Sequence, residues 1–175
     1  MGLAINFIGF QIGWFACVIG AAKGYPLLAT AVASLIIVLH LCSVNKVYSE
    51  LSLIISAIVI GFIWESILAT SHWLSYDLAA DSVVFAPLWL VAMWALFATT
   101  INLSMAWLKQ RWLLASFMGS VFGPLAFIAG EKLGAVQFID RSSALLALAL
   151  GWASLMPLLL WLADLFKYRF ESMET

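Results

Sequence analysis

Residues 51–71 read LSLIISAIVIGFIWESILATS, and Glu65 is the one charged side chain among them. At 1.5 Å per residue such a stretch is about 30 Å long, the thickness of a bilayer's hydrocarbon core. Its apolar residues form a block without amphipathic spacing, so the whole circumference of the helix suits lipid. Five further stretches meet the same standard: 3–22, 26–44, 87–107, 113–129 and 144–163. The expected fold is therefore all-α, a six-helix transmembrane bundle, with residues 1–175 forming a single transmembrane domain and no soluble domain at either end.

The composition agrees, because 65% of the 175 residues are apolar and only 10% are charged. A net charge of -1 leaves no basic surface for nucleic acid, so DNA and RNA are excluded as partners. Cys17 and Cys42 both fall inside apolar blocks, without metal-knuckle spacing, and read as small packing residues. Residues 1–6 contain no Lys or Arg, so the first block is expected to stay as a spanning helix and not to be cleaved as a signal peptide. The short links KGYP, NKVYSE and KQRW predict that helices one to five run up and down beside their sequence neighbours.

Lys46, Lys109, Arg111, Lys167 and Arg169 fall on one side of these spans, and Lys23, Lys132 and Arg141 on the other. The larger group marks the cytoplasmic side, which predicts both termini in the cytoplasm and the 72–86 loop, with Asp77 and Asp81, facing out. Trp73, Trp89, Trp107, Trp112, Tyr25, Tyr48 and Tyr168 sit at block edges, where amphipathic rings settle at headgroup level.

Gly9, Gly13, Ala16, Gly20 and Gly24 in the first helix recur as Gly119, Gly123, Ala126, Gly130 and Gly134 in the fifth, at a constant shift of 110. Small residues at helical spacing let backbones approach closely in lipid, which makes Gly9, Gly13, Gly20, Gly119, Gly123 and Gly130 candidate helix-packing positions. The two stripes either lie flush against one another or each meet a different neighbour. Pro124 and Pro157 each remove a backbone hydrogen bond within a helix, so kinks are expected there.

Glu65 lies about four residues past the middle of its helix, roughly 6 Å from the midplane. A carboxylate at that depth costs about 2.5 kcal/mol or more, so it must be protonated, paired or hydrated, and intramembrane acids of this kind are candidate functional residues. His72 is seven residues on, two turns along the same face, at a distance a water could bridge and not one of direct contact, which makes Glu65 and His72 the candidate catalytic residues, with a loop aspartate as the alternative assistant to Glu65. A second polar group, Asn6, Gln11, His40, Thr100, Asn102 and Ser104, clusters at the opposite end of the spans as a candidate ligand-binding set, with interhelical hydrogen bonding as its structural alternative. His72, Asp77 and Asp81 lack any recognised ligand spacing, so no metal is expected. No cofactor is expected either, since the glycine stripes lie inside apolar helices and lack the residues of a phosphate loop.

The segments NFIGFQIGWFACVIGA (6–21), PLWLVAMWALFATTINLSMAWL (87–108) and GSVFGPLAFIAGEKLGA (119–135) together resemble a family of small bacterial polytopic membrane proteins known only as a domain of unknown function. The resemblance runs through nearly the whole chain. It implies a multi-pass inner-membrane protein of Gram-negative bacteria, of the kind encoded near enzymes that modify unsaturated fatty acids. It carries over no activity, cofactor or catalytic residue. Three functions fit the residues. The first is a protein that binds or moves a lipid or other hydrophobic small molecule, with Glu65 as an intramembrane acid. The second is a membrane-embedded lipid-modifying enzyme. The third is an accessory subunit whose glycine faces bind another membrane protein or a second copy of the chain.

Overall fold

The computed structural model describes residues 2–76 and 85–171. Its elements are α1 (Leu3–Ala22), α2 (Pro26–Ser43), α3 (Val47–Thr70), β1 (Leu74–Ser75), α4 (Leu88–Ile101), a 3-10 turn (Ala106–Leu108), α5 (Trp112–Lys132), β2 (Gln137–Phe138) and α6 (Arg141–Glu171). Five of the six α-helices are long and apolar enough to cross a membrane. Large apolar side chains cover the exterior, among them Leu27, Leu113 and Leu150, as expected of a surface facing hydrocarbon.

The fourth helix departs from expectation. A 21-residue span over 87–107 is replaced by 14 helical residues, about 21 Å of helix. Thr99 and Thr100 turn their hydroxyls back onto the carbonyls of Leu96 and Phe97, and Leu103 and Met105 donate their N–H groups to the Thr100 carbonyl, which tightens the chain into turns. The shortened helix is the centre of the fold: nine of its residues are buried, against four of twenty in α1. Lipid-facing length is therefore not required of it. α4 packs on α1, α2 and α3, while α3 also packs on α6, and α6 on α5. The serial up-and-down order is thus corrected, since α2 touches α3 only slightly and α5 takes α6 as its main neighbour.

The two glycine stripes likewise meet different neighbours. In α1, a Cβ on Gly13 would strike Leu96 of α4 and one on Gly20 would come within 2.7 Å of Ala29 in α2, whereas Gly9 has only Ile36 at 3.7 Å. In α5, Gly119 lies against the Trp152 backbone of α6 and Gly123 against the Trp152 ring, while Gly130 has Val136 at 3.1 Å. What the stripes share is their ending. Gly24 and Gly134 both have positive φ, 79° and 84°, and each follows a helix whose last carbonyls accept from the glycine and the next residue. This is the Schellman cap that a glycine at this position permits. Both α5 and α6 continue through their internal prolines. Of the two cysteines, Cys17 is in the core and Cys42 is exposed on the outside of α2.

Candidate functional site

The Glu65 site begins with a glycine. Gly61, one turn before Glu65, has no side chain to hold off Trp94, so the indole of α4 lies across α3 and its Nε1–H reaches the acid. Trp94 donates to Glu65 Oε1 at 2.9 Å, and the Tyr76 hydroxyl donates to Oε2 at 2.6 Å. Glu65 is wholly buried. Its cage is made of neutral donors, and no cation pairs with it among the described residues.

Tyr76 comes from the loop after α3, and a clamp holds that loop in place. β1 pairs antiparallel with β2, Leu74 opposite Phe138, and the Trp73 carbonyl accepts from Ile139 and Asp140. The Ser66 hydroxyl accepts from the Ala86 N–H where the loop returns to α4. Burial first, then the carboxylate of Glu65, holds the Tyr76 phenol well above its ordinary range, so it acts as a neutral donor. His72 is elsewhere. It is exposed, sits at φ 55° just past the end of α3, and the hydrogen bonds to Glu65 come from Tyr76 and Trp94 instead. Asp77 and Asp81 lie outside the described residues.

Trp94 is backed in turn by Trp152, stacked on it with ring centroids 4.9 Å apart. The two indoles fill the space between Gly61 of α3 and Gly123 of α5. They form part of the wall of a groove of about 650 Å³ that opens between α1 and α5. Phe7, Gln11 and Trp14 line it from α1, and Met118, Phe122 and Ala126 from α5. Met93 and Phe97 of α4 lie along its floor, and Glu65 with Tyr76 closes one side. Between Met118 and Gly130 the groove follows about 18 Å of helix, close to the ~15 Å of one leaflet's hydrocarbon.

The second polar group divides into two structures at the other end of the bundle. Asn6 donates to the Thr99 carbonyl at 3.0 Å and accepts from Ser104 N–H and Oγ at 3.3 and 2.8 Å, which satisfies the backbone where α4 unwinds. His40 and Asn102 are joined through Glu50. His40 Nε2 lies 3.2 Å from one carboxylate oxygen, and Asn102 Nδ2 donates to the other at 2.9 Å. Lys109 then donates to Asn102 Oδ1 and to Asp164 Oδ1, at 2.7 and 2.8 Å. Thr100 is engaged with its own helix, and Gln11 faces the groove.

Sequence reasoning did not single out Tyr76, Trp94, Glu50, Lys109 or Asp164 for these roles. One signal was present: Trp94 stands in mid-block, away from the headgroup level that suits Trp, and a buried indole N–H needs an acceptor. Glu50 and Lys109 read as interfacial charges because their depth depends on how α3 and the turn after α4 dock.

Fold and exterior define the class, an all-helical protein with the build of a multi-pass membrane protein and a lateral apolar groove beside a buried acid. The sequence matches the family described as "Protein of unknown function (DUF2878)" over residues 3–158, and the chain belongs to that family. No curated protein and no solved structure gives a significant match.

Proposed function

We propose that the protein binds, and by binding handles within the membrane, a lipid or other hydrophobic small molecule whose chain lies in the groove between α1 and α5. The observation that carries this reading is the groove: about 650 Å³, walled by aromatic and methionine side chains and open on its lipid side, with one acid at its edge. Methionine and aromatic walls suit a flexible apolar chain because they adapt to its shape. Glu65 is the one acid among the described residues lining the groove, beside the polar Gln11 and Ser104, and it is the intramembrane acid of this proposal. The excess of Lys and Arg on the side of the termini supports a cytoplasmic placement of both, and a bacterial inner membrane is the placement that the family resemblance implies.

Ala126 is exposed on the α5 wall and can be enlarged without striking the core. Purified in mild detergent, the wild-type protein is expected to carry lipid at one-to-one stoichiometry by native mass spectrometry, and Ala126→Trp is expected to lose about tenfold in occupancy while melting normally. Equal occupancy in both proteins overturns the assignment.

A further inference from the structure

We infer that the groove selects a neutral lipid bearing a hydroxyl, such as a long-chain alcohol or an acylglycerol, over an acyl chain ending in an anion. The inference rests on the groove being a lipid site and adds the chemistry of the head it accepts.

Charge comes first. Among the described residues lining the groove there is no Lys, Arg or His, and the one ionisable carboxyl is Glu65. A carboxylate or phosphate head drawn into this space would find no cation and would lie beside a second acid, in surroundings where like charges are weakly screened. Anion-binding sites in proteins are built the other way, from guanidinium, ammonium or helix N-termini.

Hydrogen bonding narrows the choice further. Each Glu65 oxygen accepts one bond, from Trp94 or from Tyr76, and a carboxylate has about four acceptor positions in all. Capacity to accept from a ligand donor therefore remains. In the same wall, the ring of Trp152 is stacked on Trp94, and its Nε1–H is buried with no partner among the described residues. An acid on the groove wall with spare lone pairs is complementary to a group that can both donate and accept. A hydroxyl does both, and it serves Glu65 whether the acid is ionised, by donating to it, or protonated, by accepting from it. A carboxylate head only accepts, and an alkane chain does neither.

The experiment presents 1-hexadecanol and hexadecanoate in equal amounts, from the same neutral-pH detergent micelles, to the full chain, and reads relative occupancy by native mass spectrometry. Wild type is expected to hold the alcohol at least about tenfold over the carboxylate, and Glu65→Gln to bring the two within about twofold. Equal occupancy in wild type, or a preference for hexadecanoate, overturns the selectivity and leaves the groove as a lipid site. A preference that Glu65→Gln leaves intact overturns the role of the acid. Absence of both probes from wild type overturns the groove itself. If Glu65→Gln does not fold, the wild-type ratio alone decides whether the head is neutral.

Discussion

Glu65 and Glu50 stand on one helix, fifteen residues or about 22 Å apart, and the fold treats them in opposite ways. Glu50 is held in a chain of charges and amides that ties α2, α3, the turn after α4, and α6 through His40, Asn102, Lys109 and Asp164. Glu65 is held by two ring donors of no formal charge and adjoins an open groove. The first arrangement fixes the place where a central helix unwinds, and both Glu50 oxygens are engaged in doing so. The second leaves acceptor capacity on Glu65 unspent. An acid that ties elements together is expected to govern stability, and an acid beside a groove to govern what enters it.

The largest expected effect tests the first half of that contrast. Glu50→Ala strands a buried donor on His40 and a part-buried one on Asn102 and leaves Lys109 with one acid fewer in its network, a change expected to cost about 3–5 kcal/mol by thermal unfolding in detergent. A cost below about 1 kcal/mol would erase the distinction between the two acids.

Gly123→Leu comes next, because its side chain must displace the Trp152 ring that backs Trp94. About 2–3 kcal/mol of destabilisation is expected, with a change in near-ultraviolet dichroism from the disturbed indoles. Phe122→Leu, at an exposed neighbour on the groove wall, serves as the control for stability and should melt close to wild type. If Gly123→Leu also melts like its parent, the two tryptophans do not brace the Glu65 cage.

Glu65→Gln is expected to cost about 1–2 kcal/mol, since one oxygen remains to accept while one donor loses its partner. Its stability effect should thus be smaller than that of Glu50→Ala and its effect on ligand choice larger. The reverse ranking would place the functional acid at the other end of α3.

The smallest effect is a pH dependence. Asp140 caps α6, and the Ser143 hydroxyl followed by the Ser143 N–H holds its carboxyl below the ordinary 3.8. A carboxyl lowered on folding contributes stability above its unfolded value and loses that contribution as pH falls through the folded one. Acid titration of the melting temperature should therefore show a slight decline in wild type that Asp140→Ala lacks. Because Asp140 also donates its N–H to the Trp73 carbonyl in the clamp that carries Tyr76, any structural echo should appear at Glu65 and not at Glu50.

Much of the helical content is legible residue by residue. Of the six apolar blocks read as spans, five form membrane-length helices, because insertion depends on local composition, while the caps at Gly24 and Gly134, read only as members of the small-residue stripes, emerge in the structure. The cost of burying Glu65 is legible for the same reason. The fourth helix shows the limit, since its Thr, Asn and Ser residues near 99–104 signal a break only once Asn6 is known to satisfy the freed backbone. His72 shows it again: helical periodicity projects it along the face of Glu65, but the helix ends at Thr70 and the loop delivers Tyr76 instead.

The chain alone determined which segments are apolar enough to span and which acid has to be accounted for, since each follows from a residue and its near neighbours. Tertiary structure decided that α4 is the buried centre, that the two glycine stripes face different helices, that Trp94 and Tyr76 answer Glu65, and that a groove is left between α1 and α5. Those outcomes depend on shape matching among distant helices, where many small dispersion contacts add up and no single residue announces its partner.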